Sequence, residues 1–179
     1  FLQAADIARE LERAEDFAHA VIGCAGWSET AGQPDEPLRR LLEEALERVG
    51  STNVALRIRL LGHLAGTDRY YRSREERGRL TEEAVALARE LEEPGALCQA
   101  LADRLVALQG PGETVAWLEL SDECLALAEQ TRNHTIRFRQ HWYRFGTRLM
   151  QGDVQGARTE CEEFERLRGE LGLVVPEGL

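Results

Sequence analysis

The chain contains no lysine. All 22 of its basic residues are arginine. That excludes a Walker A lysine, a Schiff-base lysine and the phosphate-contacting lysine of a kinase. Cysteine is sparse: Cys24, Cys98, Cys124 and Cys161 form no C-x-x-C pair, and four in 179 residues is not a disulfide-stapled scaffold. No apolar run approaches the length that spans a bilayer, and the opening FLQAADIARELERAED lacks the basic-then-apolar order of a signal peptide. The cytoplasm is therefore the expected compartment. β-branched residues are few and never alternate as in a strand. The chain opens on Phe1 inside a helical pattern, which suggests a piece of something longer.

What is abundant is Ala, Leu, Glu and Arg, all strong helix formers. Helix-period segments are expected over 2–12, 14–27, 36–49, about 52–66, 73–93, 94–109, 113–132, 134–151 and 154–171. Their ends carry recognisable chemistry. Asp35 caps and Pro37 sits in the first turn of the third; Gly50 ends it; Ser51 or Thr52 opens the fourth. Ser73 and Glu76 fit a capping box, Pro94 begins a helix, and Asp153 follows Gly152 as a cap. Nine helices and no sheet are predicted, and the tail GLVVPEGL reads as a linker or the start of another unit.

The segments are also alike. LTEEAVALARELEE at 80–93 matches LSDECLALAEQTRN at 120–133 at an offset of 40, and LLEEAL at 41–46 matches LTEEAV at 80–85 at 39. ARELE recurs at 8–12 and 88–92, two such periods apart. One helix pair cannot cover its own apolar stripe, so similar pairs stack and bury a shared seam. The expected architecture is an all-α, right-handed solenoid of antiparallel helix pairs in one domain over 1–179, with pairs at 14–49, 51–93, 94–132 and 134–171. Residues 2–12 form an unpaired second-type helix. In this register Ala84, Cys124 and Cys161 are matched small residues at tight helix contacts, the last at an offset of 37.

FGTRLMQGDVQGARTECEEFERL at 145–167 resembles a tetratricopeptide unit, with Gly152, Asp153 and Ala157 in the turn and at the small contact position. The longer repeats, together with ALARELEEPGAL at 86–97, are similar to the helical-repeat region of large bacterial regulators of the MalT/LuxR type. The resemblance implies a sensor or interaction region whose ATPase and DNA-binding modules lie elsewhere. It also implies that first helices line a groove and second helices lie outside.

Catalytic signatures are missing: the sequence has no H-E-x-x-H, no G-x-S-x-G, no glycine-rich phosphate loop and no metal-spaced Cys/His cluster. Neither enzymatic activity nor a cofactor nor a metal is expected. The carboxylate pairs Glu82/Glu83, Asp122/Glu123 and Glu162/Glu163 recur at corresponding places and read as solvated helix faces.

Charge is partitioned. The formal charge is −10, which argues against a surface that grips nucleic acid or anionic lipid as a whole. Yet 132–151 holds five Arg and no acid, and 51–72 holds four Arg and one Asp. The acidic stretches 73–94 and 113–131 are second helices. Within 134–151, Phe138, Trp142, Phe145 and Leu149 share one face and read as core. Arg137, His141, Arg144 and Arg148 run one residue earlier as a basic stripe. These four, with Arg57, Arg59 and His63 from the second unit and the flat surface of Tyr143, are the candidate ligand-binding residues; Tyr70 and Tyr71 could add to it or wedge a loop. Trp27 and Trp117 are assigned to packing. Bidentate arginine contacts suit a carboxylate-rich or phosphorylated ligand. The competing reading pairs the same arginines with acids of adjacent helices, especially 113–131.

The expectation is a non-catalytic interaction or sensor module of a larger bacterial regulator, with a basic groove for a protein or peptide partner or a small acidic effector. Other domains of the same chain are further partners, and nucleic acid and membrane are not. Leu2, Ile7 and Leu11 need cover, so exposed repeat ends could pair two copies. The alternative is a structural spacer with an empty groove.

Overall fold

The computed structural model describes residues 1–28, 35–68, 71–110 and 114–172, and the side chains of 26–28 fall outside that description. The expected roles of Trp27 and Tyr70 and the tail beyond 172 therefore lie outside the described residues. Those described hold nine helices and no strand: α1 (Leu2–Glu10), α2 (Ala14–Ser28), α3 (Glu36–Val49), α4 (Val54–Thr67), α5 (Arg74–Leu91), α6 (Pro94–Ala107), α7 (Thr114–Gln130), α8 (His134–Met150) and α9 (Val154–Glu170). The all-α helical-repeat fold read from the sequence is the fold observed.

Helix starts follow from side-chain caps that satisfy otherwise unpaired amides. The Asp35, Asn53, Asn133 and Asp153 side chains each accept from a backbone N–H three residues on. Ser73 and Glu76 close the capping box. The fourth helix starts later than the sequence reading placed it: Asn53, with an amide oxygen in reach of Leu56 N, takes the cap rather than Ser51 or Thr52.

The repeat is written into the turns. Glu12, Glu92 and Arg132 all have positive φ, between 53° and 54°, and follow one another at 80 and then 40 residues. Each reverses the chain between a second-type helix and the next first-type helix. Arg13 N donates to Ala8 O and Asn133 N to Ala128 O, the same closure three periods apart. A further pair recurs between helices: Arg104 donates to Gly78 O at 3.0 Å, and forty residues on Arg144 reaches Leu118 O at 3.4 Å.

Two compact units result, Phe1–Gln109 and Gly110–Leu179. The boundary cuts through the expected pair 94–132, so α6 belongs to the first unit and α7 to the second. In the first unit the core is apolar: Phe17, Val21, Leu42, Val49, Leu60 and Leu64 are buried among Ala5, Ala8, Ala25 and Ala45. Arg9 clamps Glu44 through Nε and NH2, at 3.0 and 2.9 Å, tying α1 to α3. Leu2 and Ile7 on α1, and Leu11 just after it, are exposed.

The second unit is different. Its buried positions include Ser121 and Cys124 on α7, Gln140, Arg144 and Thr147 on α8, and Ala157, Glu160 and Leu167 on α9. Two expectations are corrected here. Cys161 is exposed, not packed at a helix contact. Burial in α9 instead sets Glu160 seven residues before Leu167, as Thr81 stands before Ala88 and Ser121 before Ala128. The inward position is thus occupied by a glutamate, and the offset of 37 was the wrong register. The stripe on α8 read as core is also not the buried one: Trp142 and Leu149 are exposed, and Phe138 and Phe145 are half-buried. The helix buries Ile136, Gln140, Arg144 and Thr147 instead. Aromatic stacking explains why the first face can stay at the edge. Phe138 and Phe164 stack at 4.3 Å between α8 and α9, and Trp142 leans on Phe164 at 5.4 Å. Acid partners explain why the second can go inward.

Candidate functional site

Glu160 is the centre of the charged cluster in the second unit. Arg144 Nε donates to Glu160 Oε1 at 2.8 Å and Arg148 Nε to the same oxygen at 3.0 Å. His141 Nδ1 lies 2.8 Å from Oε2. A carboxylate only accepts, so His141 presents its proton on Nδ1. Arg144 NH1 also donates to Asp122 at 2.6 Å and Arg148 NH1 to Asp153 at 2.8 Å. Burial pushes the Glu160 carboxyl up, but the hydrogen bonds from His141 and Arg144, the Arg144 charge and the Arg148 bond outweigh it and hold the group down at about 2. This is a filled carboxylate receptor, with the protein's own Glu160 as its occupant.

The candidate residues therefore separate. His141, Arg144 and Arg148 are brought together, facing Glu160. Arg137 lies 4.0 Å from Glu129 and its charge helps lower the Glu163 carboxyl, behind the larger effect of the Arg166 hydrogen bond. Tyr143 is half-buried, and its carbonyl accepts from Thr147. In the first unit Arg57 donates from Nε and NH2 to Glu83 Oε1, at 3.0 and 2.6 Å, and from NH1 to Gly50 O at 3.2 Å. Its neighbour Arg59 is exposed, with no ion pair among the described residues. His63 is half-buried on the same helix. Tyr71 is exposed, its ring under the Arg39 guanidinium at 5.6 Å.

No protein-family model matches this chain, and no curated protein does. Function has to be argued from the side chains themselves.

Three residues that matter were not singled out in the sequence. Glu160 was hidden inside an acid-rich helix; its distance of seven from Leu167, matching Thr81–Ala88 and Ser121–Ala128, is the signal that marks it as inward. Gln140 is fully buried, its Nε2 without a hydrogen-bond partner while Oε1 accepts from Ser121 at 3.5 Å. Arg139 is half-buried with a buried Nε that has no hydrogen-bond partner, and it makes no ion pair among the described residues. It lies 80 residues after Arg59, on a helix that begins 80 residues after α4. The two are equivalent in the repeat.

A second charged group sits in the first unit, where buried Asp68 pairs with Arg72 Nε at 2.5 Å. Burial pushes its carboxyl up, against the charges of Arg72 and Arg39. Among the described residues no group of three His, Cys, Asp or Glu could hold a metal ion, and no helix is long and apolar enough to cross a membrane.

Proposed function

We propose that the chain is a non-catalytic interaction module, a sensor or scaffold repeat of a larger bacterial transcriptional regulator, that takes an acidic partner segment or effector on the basic side of its first-type helices. One observation carries the reading. Arg59 and Arg139 occupy the same repeat position and neither has an ion pair among the described residues, whereas Arg57, Arg144 and Arg148 are all matched by acids. A guanidinium left without a carboxylate at a repeated position is a ready recognition element for carboxylate or phosphate. The likeness of ALARELEEPGAL to regulator repeats supports the wider assignment.

The test is binding of a labelled poly-glutamate peptide and of inorganic phosphate, followed by anisotropy and by melting. Wild type binds at least one of them, Arg59→Glu weakens it several-fold, and helical content is unchanged. A specific observation favours a second reading, a structural spacer: Glu83 and Glu160 already neutralise much of the basic stripe. It predicts that neither probe binds or shifts the melt.

A further inference from the structure

We propose that the outward face of α8 docks an acidic amphipathic helix of a partner protein; this deepens the acidic-partner reading above and rests on it. Thr135, Arg139, Trp142, Gly146 and Leu149 follow spacings of four, three, four and three. That is the narrow seam along which one helix packs on another. In α8 this seam is left open: Trp142 is 55%, Leu149 46% and neighbouring Met150 59% exposed. In the middle of it, a Cβ placed on Gly146 would meet nothing within 4 Å, so the seam has a dip that an incoming side chain can enter. Trp142 is braced from behind by Phe145 and Phe164, at 6.0 and 5.4 Å, so an aromatic anchor is held in place before anything binds. Anchors of this kind dominate helix-in-groove recognition.

The charge of the occupant follows from what α8 lacks. The helix has four arginines and no acid. Arg144 and Arg148 are neutralised by Glu160, Asp122 and Asp153, and Arg137 stands beside Glu129. Arg139, on the seam, has no ion pair among the described residues and a buried Nε without an acceptor. A guanidinium without a carboxylate partner is a strong recognition element for one, and a carboxylate from the docked helix supplies it at the accessible end of the group. A two-fold pairing of this face with itself supplies no carboxylate, so a second copy is the poorer occupant.

The experiment uses the whole chain and a labelled three-heptad peptide with leucine at its seam and glutamate flanking it, alongside a twin carrying lysine for glutamate. The acidic peptide binds and the lysine twin does not. Gly146→Glu fills the dip with a repelling charge while improving helix propensity, so the fold is not at risk; it weakens binding at least about tenfold. Arg139→Gln weakens it by a similar factor. Binding of both peptides alike, or acidic binding untouched by Gly146→Glu, overturns this seam while leaving the acidic-partner reading standing. No binding of any acidic probe overturns both. A free chain that sediments as a dimer and becomes a monomer on Gly146→Glu overturns the proposal in favour of a second copy.

Discussion

A buried carboxylate held by two guanidinium groups and a histidine ring is an expensive arrangement that holds only while every partner is present. Removing one partner of such a pair typically costs about 3–5 kcal/mol, whereas replacing both by apolar groups is often near neutral. Arg144→Leu and Glu160→Met should each lower stability by about 3 kcal/mol, and the double variant should lose less than either, as read by urea denaturation. A double variant as unstable as the sum of the two would mean that Arg144 and Glu160 act independently. Acid should find the same weak point. Glu160 is held at about 2 when folded, below its ordinary value near 4.3, so its stabilising contribution is complete above that ordinary value and fades as pH falls toward 2. Melting temperature should drop through this window in wild type and drop less in Glu160→Gln. An unchanged acid limb in the variant would mean that another carboxyl controls it. At this scale the sequence was half legible. It displayed the arginines on one face of a helix but not that a single glutamate from the next helix would hold three of the candidate residues.

Helix ends were the most legible level, because a cap is a local hydrogen bond made by residues a turn apart. Asp35, Ser73, Pro94 and Asp153 were readable from sequence and stand where expected; Asn53 displaced its two neighbours because its amide oxygen reaches Leu56 N. The turns were less legible. Glu12, Glu92 and Arg132 adopt left-handed φ, a conformation that disfavours side chains by about 1 kcal/mol. Glu92→Gly should therefore raise stability, by about 0.5–1 kcal/mol, in thermal or chemical unfolding. A loss would mean that the Glu92 side chain makes a contact outweighing its backbone strain. The face of a helix that turns inward was the least legible feature. Phe138, Trp142, Phe145 and Leu149 make a regular apolar stripe on α8, yet the chain buries Ile136, Gln140, Arg144 and Thr147.

Over the molecule as a whole, the two units differ in what fills them. The first is held by Leu, Val, Ala and Phe; the second buries Ser121, Gln140, Arg144 and Glu160. Polar interiors are stabilised by a few exact partnerships rather than by bulk burial, so they open more readily. Hydrogen exchange should be slowest in α2 to α5 and faster in α8 and α9, with the contrast widening as pH falls below about 4.3, where the opened state takes up a proton that folded Glu160, held at about 2, does not. Equal protection in both units would remove the distinction. Helix content, the near-40 period and the absence of lysine chemistry were determined by the sequence, because propensity, capping and repetition are properties of neighbouring residues. Which face of α8 is buried, which acid meets which arginine, and that Arg139 is left over beside an open aromatic seam were decided by tertiary structure. Those outcomes depend on side chains from separate helices competing for the same few positions, and a two-residue change of register in α9, from an offset of 37 to one of 39, was enough to put Glu160 inside and Cys161 out.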